Sequence, residues 1–353
     1  MLKLNKLYIF FVILSLNLFF FSTTNLNAKA FLIEEIEISQ PFKNNFEKNI
    51  VIDKGFKRAF KDLTSLLIKS SDLKKVKNTQ LNEIKGMIES FSIKEEKFIN
   101  QIYYVNLGVS FDKRKIFNFL EKKNIFPSLP VKNKILLIPI LVNLDSEDIF
   151  LFNKNIFYQK WNKEKKNYHL LEYLLPSEDI EDLQIIEKNY RSIEDYDFLD
   201  LIKKYDLEDY VIVILFNDKN ELKVHSKINF KDSFKLNNQK FKKIDLNNEE
   251  SFLIVLNQLK KTYEDYWKKK NEINTSIKLP ITISINSKEY DKIEKLQNTL
   301  DSIDLISDFY ILKFDSNDIF FKIIFNGSPK TFLGFMSENN FEFGMQNNIW
   351  KIK

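Results

Sequence analysis

The sequence predicts an α+β protein built of about three small mixed α/β segments, and three observations predict this class. Short apolar runs that alternate with other residues, as in 103–111, recur along the chain. Between them lie stretches with apolar residues at three- and four-residue steps, as in 56–67, which is the helical period. The last part of the chain, 279–353, reads strand, helix, strand, strand, helix, strand, which is the ferredoxin-like order.

The N-terminus predicts a secretory signal peptide. Two lysines precede an apolar run over 7–21, whose fifteen residues would rise about 22 Å as a helix, less than the ~30 Å hydrocarbon core of a bilayer. Ala28 and Ala30 are small residues of the kind that signal peptidase accepts before a cleavage site. We therefore expect cleavage after Ala30 and a periplasmic or otherwise exported protein that begins at Phe31. An uncleaved leader, which would hold the chain to the membrane, is the alternative.

Composition excludes several classes of function. The chain has no cysteine, which excludes disulfides, thiol catalysis and cysteine metal sites. The formal charge is +5, but the leader contributes three lysines and no acid, and basic and acidic residues are mixed along the rest of the chain. No basic stripe indicates a nucleic-acid partner. Lysine, asparagine, isoleucine and phenylalanine replace arginine and alanine, as an AT-rich genome would encode, so abundant lysine does not by itself indicate a polyanionic partner.

The N-terminal α+β domain, 31–143, is predicted to run strand, helix, helix, strand, helix, strand. Its first helix has one apolar stripe, and its third begins at Asp112, which is placed to cap it. The stretch 135–142 is apolar throughout, as in a strand buried on both faces, and it closes the domain. The predicted strands cover 31–39, 103–111 and 135–142, with a further candidate over 91–98.

The middle α+β domain, 144–270, is less regular. A strand over 168–175 stops at Pro176, and an acidic run follows it. The turn chemistry of 217–220 predicts a hairpin between strands 209–216 and 221–230. A long amphipathic helix then carries Phe252, Leu256, Leu259, Tyr263 and Trp267 on one face. The mostly polar stretch 268–278 is predicted as the linker to the C-terminal domain.

The C-terminal domain, 279–353, has the clearest pattern. Alternating isoleucines predict its first strand, and a helix that Ser287 can cap follows. Two alternating strands are joined at 315–318, and a second helix has Pro329 at its first position. Residues 341–353 are expected to form one strand or a small hairpin around Asn347 and Asn348.

Six stretches give the mature chain a resemblance to the bacterial domain-of-unknown-function family 2066. They are 56–67, 103–111, 116–120, 134–141, 174–183 and 209–215. These are patterns of apolar spacing and not catalytic signatures. The resemblance implies an exported envelope protein that opens with a short strand and a long helix, and it implies no assigned chemistry, so it transfers no catalytic residue.

A search for catalytic or ligand-binding motifs finds little. His169 and His225 have no second ligand at metal spacing, and the glycines form no phosphate-binding loop. The acids Glu178, Asp179, Glu181 and Asp182 could bind a cation or serve a carboxylate-based hydrolase, but a helix start after Pro176 explains them as well. We expect no cofactor and no metal.

Aromatic side chains between Phe150 and Trp161 are the best candidates for an exposed contact surface. Phe157 and Trp161 are four residues apart and share one face of a helix, with Tyr158 beside them. Such a surface would bind another protein. Packing of the same side chains against the neighbouring segment is the alternative.

These observations favour an exported, non-enzymatic protein of the cell envelope that acts in interaction or assembly. Small mixed sheets have edge strands that can accept a strand from a partner, which we expect to be another envelope protein. The candidate edges are 31–39 and 341–353. A small-ligand binder with a pocket between segments and a carboxylate-based envelope hydrolase are the alternatives.

Overall fold

A computed structural model describes residues 30–163, 168–219, 221–275, 277–303, 305–346 and 349–353. The predicted leader lies outside these residues except for the backbone of Ala30, and so does the turn at Asn347 and Asn348. The described chain contains helices and several small mixed sheets, which confirms the predicted α+β class.

Fourteen strands and ten α-helices occur within the described residues. The strands are β1 (Ala30–Pro41), β2 (Ile88–Ile99), β3 (Ile102–Asp112), β4 (Asn133–Asn143), β5 (Asp148–Phe150), β6 (Leu171–Leu174), β7 (Tyr210–Asp218), β8 (Glu221–Phe230), β9 (Ser233–Lys242), β10 (Leu279–Asn286), β11 (Ile306–Phe314), β12 (Asp318–Phe325), β13 (Phe343–Gln346) and β14 (Ile349–Ile352). The helices are α1 (Lys48–Leu67), α2 (Leu73–Val76), α3 (Leu81–Met87), α4 (Lys113–Lys122), α5 (Ile156–Lys160), α6 (Ile180–Lys188), α7 (Leu199–Lys203), α8 (Glu249–Lys270), α9 (Tyr290–Ser302) and α10 (Pro329–Glu338). No described helix is both long enough and apolar enough to cross a bilayer.

The described residues form two compact units. The first comprises 32–279 with 326–328, and the second comprises 280–325 and 329–353. The second unit therefore begins almost where the sequence predicts its C-terminal domain. The predicted boundary between the N-terminal and middle domains falls inside the first unit, and that finer division stays a prediction.

A three-stranded sheet in the order β1-β3-β2 opens the first unit. One face of β3 is buried through Val105, Leu107, Val109 and Phe111, and the apolar face of α1 is buried as well. Gly55 of α1 lies so close to Leu107 that a β-carbon at position 55 would collide with that side chain, so only glycine fits without a shift. The further strand expected over 91–98 is β2.

The larger sheet of the first unit has the order β5-β4-β7-β8-β9, and β6 also pairs with β4. The strand β4 runs parallel to both β6 and β7 and lies in the interior of the sheet. Its alternate side chains enter two different cores, Ile135 and Leu137 on one face and Leu136 and Ile138 on the other. A sheet covered on both faces explains the continuous apolar run. The predicted order placed this strand at the end of the preceding domain, and it contained neither β5 nor β9.

Helix α8 covers one face of the larger sheet and carries buried charges. Glu264 accepts backbone N–H groups of Leu170 and Leu171 at 2.9–3.2 Å, at the start of β6. The Lys268 ammonium donates to the carbonyl of Ser65 in α1. Because Lys268 still belongs to the helix and is buried, the linker expected from residue 268 begins after α8.

The second unit contains a five-stranded sheet in the order β11-β12-β10-β14-β13. Its elements follow the predicted order up to α10, and the chain then ends in the hairpin β13–β14. In the ferredoxin-like arrangement the last strand lies beside the first. Here β14 takes that place, runs parallel to β10, and leaves β13 at the edge.

Candidate functional site

The predicted aromatic contact surface is not at the surface of the protein. Phe157 and Trp161 have 0 % exposure, and both belong to the core under α8, while Tyr158 is partly buried. The expectation that these three side chains form an exposed patch is therefore corrected to the alternative, which was packing against the neighbouring segment. Phe157 belongs to α5 and Trp161 directly follows the helix, and both side chains are fully buried.

Contacts with α8 and β6 explain the burial of Phe157 in this short helix and of Trp161 directly after it. The Phe157 ring lies 5.0 Å from the Phe252 ring of α8, measured between centroids. The Trp161 ring packs 5.5 Å from that of Tyr173 in β6 and stacks 6.2 Å from that of Tyr263 in α8. The whole of α5 is thus held between a sheet and the longest helix, a placement that helical periodicity does not reveal.

The hydrogen bonds that hold the start of α5 are also buried. Asn155 is fully buried and caps α5 by accepting the Phe157 N–H at 2.9 Å. Its amide donates to the carbonyls of Pro139 and Phe150 at 3.0 and 3.2 Å, so one side chain joins β4, β5 and α5. These bonds fix the backbone of α5 and present no group to solvent.

The acidic run at 177–182 begins a helix. Asp179 caps α6 by accepting the backbone N–H groups of Glu181 and Asp182 at 2.8 and 3.4 Å. The Lys204 ammonium joins the carboxylates of Asp179 and Asp182 at 3.0 and 2.8 Å. The Lys204 hydrogen bond and the two backbone bonds lower the pKa of Asp179, and the two carboxylates raise the pKa of Lys204. Two of the four acids therefore stabilise local structure.

Neither histidine occurs in a metal-binding constellation. His225 on β8 lies opposite Asn238 on β9, with 2.6 Å between His225 Nδ1 and Asn238 Oδ1. His169 packs edge-on against the neighbouring Tyr168 ring. Among the described residues, no three histidine or carboxylate side chains come close enough together to hold a metal ion.

At least three clefts of the first unit are large enough for a small molecule, and one of them, of about 380 Å³, is lined by Glu37, Arg58 and Lys97. Another cleft, of about 460 Å³ beside β5 and α6, is lined by four acids, Glu147, Asp148, Glu178 and Glu187. A third cleft, of about 490 Å³, lies among α1, α2 and α3. Its buried floor is Phe60, Val76 and Ile84, and its rim is Lys57, Lys61, Lys74 and Lys77. Lysine is abundant along the whole chain, so a rim of exposed lysines is weak support for a ligand site.

The edges of the sheets offer a different kind of site, because unpaired backbone groups can bond to an added strand. The described edge strands include β1, β2, β9, β11 and β13. Charged side chains, which discourage edge pairing, are frequent on three of them. They are Glu34, Glu35 and Glu37 on β1, Glu89, Lys94, Glu95, Glu96 and Lys97 on β2, and Lys235, Lys240 and Lys242 on β9.

The outer strand β11, called here the β11 edge (residues 306–314), has about the same share of charged residues as β1, but it concentrates exposed apolar side chains in one short stretch. It has nine residues and only two charged side chains, Asp308 and Lys313. Its distal half exposes large apolar side chains on both faces. They are Tyr310, Ile311, Leu312 and Phe314, at 49, 39, 49 and 66 % exposure. By contrast β13, the opposite edge of the same sheet, has four residues.

The predicted edges and the observed ones overlap in part. The strand over 31–39, observed as β1, is an edge, and of the terminal segment 341–353 only β13 is an edge, because β14 lies inside the sheet. The β11 edge was not among the predicted edges. The alternating pattern over this stretch predicts a strand but not its neighbours in the sheet. Only the strand order shows that β11 lies at an edge.

Comparison with models of known protein families finds no match, and no curated protein matches the chain. Among solved structures, a chain described as "Crystal structure of uncharacterized protein" is similar at 10 % identity, over 40 % of this chain and 95 % of that one, with a TM-score of 0.16. At that score the likeness supports no statement about fold or function.

Proposed function

We propose that this chain is an exported, non-enzymatic interaction or assembly factor of the cell envelope, and that it binds its partner by strand addition at the β11 edge. The observation that carries the proposal is the combination of an edge position with the apolar character of an interior strand. A partner strand would bond to the open backbone groups of β11 and cover part of its exposed apolar side chains.

The choice of β11 over the other edges rests on what each edge presents. Charged residues, which hinder edge pairing, occupy five of twelve positions on β2, but their share on β1 and β9 is close to the two of nine on β11. What distinguishes β11 is therefore its exposed apolar side chains, four of them within five residues. On β11 the five positions 309–312 and 314 are aromatic or aliphatic, and Asp308 and Lys313 flank the central group. Large exposed apolar patches are rare on monomeric proteins, and where they occur they often mark contact sites.

Export is the other part of the proposal. It is supported by the short apolar run, the Ala28-Lys29-Ala30 stretch and the lack of cysteine. The resemblance of the helix and strand patterns to family 2066 points the same way and belongs to the proposal. An exported protein without disulfides must gain its stability from ordinary cores, and the first unit has two of them.

The test places a photo-crosslinking phenylalanine analogue at position 310 of the full chain in the producing cell. We expect crosslinks to an envelope protein from position 310, because a strand added to β11 would lie next to that side chain. The matched control is position 234, an exposed phenylalanine on the lysine-bearing edge β9. Crosslinked proteins are identified by mass spectrometry after cell fractionation.

A second variant separates strand addition from chance proximity. Replacing Ile311 and Leu312 by lysine adds charge to the edge, and we expect it to abolish the crosslink from position 310. Because both side chains are exposed, the free energy of unfolding of the variant should lie within about 1 kcal/mol of the wild-type value. Thermal denaturation checks this. The same adducts from positions 310 and 234, or an adduct that survives the lysine variant, would contradict strand addition at β11.

A further inference from the structure

The register of β11 against β12 reveals a symmetry in the outer edge. Asp308, Phe309, Tyr310, Ile311 and Lys313 lie opposite five consecutive residues of β12, which are Ile324, Ile323, Lys322, Phe321 and Phe320. Leu312 is the extra residue of a β-bulge between Ile311 and Lys313. Counted in ladder positions, Tyr310 is therefore the centre, with Asp308 and Lys313 equally far from it on either side.

We propose that the β11 edge pairs with the β11 edge of a second copy of this chain, antiparallel and about a two-fold axis at Tyr310. This inference rests on the proposed function and names its partner. In such a pair Asp308 of each copy lies opposite Lys313 of the other, so the two ion pairs are reciprocal. Phe309 lies opposite Ile311 in both directions, and the two Tyr310 side chains lie opposite each other.

The symmetry requirement decides between registers. A two-fold axis perpendicular to a sheet must put a residue opposite itself and keep opposite side chains on the same face. Simple residue counting would place Asp308 and Lys313 at an odd separation, on opposite faces. The bulge at Leu312 restores the parity and brings the acid and the base to matching positions. Pairing about Phe309 or Ile311 would put Tyr310 opposite Asp308 or Lys313, and pairing about Asp308 or Lys313 would put two like charges opposite each other.

Both charged residues lie at the surface, where a second copy can reach them. Asp308 is exposed, and so is Lys313, whose ammonium lies 4.2 Å from the centroid of the Phe320 ring. A carboxylate from a second copy can approach an ammonium that rests on an aromatic face, since an ammonium has three donors. The aliphatic and aromatic side chains between the two ion pairs would pair with one another instead of with water.

Charge exchange tests the register. Lys313→Glu alone and Asp308→Lys alone would each put like charges opposite each other twice, and we expect either change to weaken the dimer about tenfold or more. The double exchange Asp308→Lys with Lys313→Glu restores opposite charges and should recover most of the affinity. Sedimentation velocity over a concentration series measures the dissociation constant, with circular dichroism to verify folding. A double variant that dimerises no better than the single ones would overturn the register.

A single cysteine gives an independent readout, because the chain has none of its own. In the proposed pair the two Tyr310 Cα atoms are about 4.5–5.5 Å apart, within the range of a disulfide. We expect Tyr310→Cys to form a covalent dimer on mild oxidation. Phe314→Cys is the matched control, since on the same strand its two copies would be about 20 Å apart. Equal crosslinking of both variants, or none from Tyr310→Cys, would contradict the two-fold pairing.

These outcomes separate the inference from the proposed function. A wild-type protein that stays monomeric, together with a β11-dependent crosslink to a different envelope protein, would overturn self-pairing and leave strand addition standing. Both proposals would be supported if Tyr310→Cys forms covalent dimers, if either single charge change reduces their yield, and if the double exchange restores it. If the lysine variant at Ile311 and Leu312 changes neither self-association nor any crosslink from position 310, both proposals fail.

Discussion

Trp161 shows at the scale of a single residue how an aromatic side chain can be assigned to the wrong environment. Its sequence neighbourhood is rich in aromatic and polar residues, which is equally typical of a contact surface and of a core rim. In the structure its ring is fully buried between Tyr173 and Tyr263, and its carbonyl accepts the Lys260 ammonium at 2.6 Å. The neighbours that bury it come from β6, the next strand along the chain, and from α8, which lies about a hundred residues further on.

The burial predicts a stability effect and not a binding effect. Trp161→Ala should lower the free energy of unfolding by about 3–5 kcal/mol, because a large cavity would remain under α8. Tyr290→Ala, which removes a side chain that is 76 % exposed, is the control and should stay within about 0.5 kcal/mol of wild type. Chemical denaturation measures both. A fully stable Trp161→Ala variant would return the residue to the candidate contact surface.

At the scale of secondary-structure elements, α8 shows which charges an amphipathic pattern hides. Its apolar stripe is visible in the sequence, but Lys260, Glu264 and Lys268 are buried with it. Glu264 satisfies two backbone N–H groups at the start of β6, and Asp265 accepts the Ser70 N–H at 2.7 Å. The helix thereby joins β6 to the segment after α1, which helical spacing alone does not indicate.

The buried carboxylate predicts a pH-dependent stability. Burial raises the pKa of Glu264 above its ordinary value of 4.5, against the lowering effect of its backbone hydrogen bonds and of Lys268. A group whose pKa is higher in the folded state stabilises most below its unfolded pKa and loses that contribution as the pH rises through its folded pKa. The free energy of unfolding of wild type relative to Glu264→Gln should therefore fall as the pH rises from about 4.

The control for this prediction is Glu264→Leu. Because Oε1 of Glu264 accepts both N–H groups, a glutamine carbonyl oxygen in its place can still accept both, whereas leucine leaves both unpaired, which costs about 2–5 kcal/mol at every pH. Urea denaturation across a pH series distinguishes the two variants. If the difference between wild type and Glu264→Gln is independent of pH, Glu264 does not titrate with a raised pKa in the folded protein.

At the scale of the whole molecule, the described chain is made of two compact units that differ in how they use their sheets. The first unit covers both faces of its larger sheet, so that the apolar run of β4 is buried. The second unit places β11, which exposes four large apolar side chains, at an outer edge. A second strand beside β11 would pair its open backbone groups and cover part of its exposed apolar side chains, and this gain is the physical basis of the proposed function.

Maturation is the prediction that concerns the whole chain. If the leader is an export signal, protein isolated from the producing cell should begin at Phe31, as N-terminal sequencing of the fractionated envelope would show. The control is Ala28→Lys with Ala30→Lys, which removes the small residues before the cleavage site and should leave the leader attached. Full-length wild-type protein that begins at Met1 and stays in the cytosol would contradict export.

The sequence by itself determined the kinds of elements, because helical and strand periods are local properties. The alternation of 103–111 became β3, the stripe of 56–67 became most of α1, and the C-terminal elements follow the predicted order, with the hairpin as the one of two expected endings that occurs. Strand order, burial and edges depend on pairings between residues far apart in the chain, and no local pattern encodes them. For that reason only the tertiary structure decided that β4 is an interior strand, that Trp161 is a core residue and that β11 is an open edge.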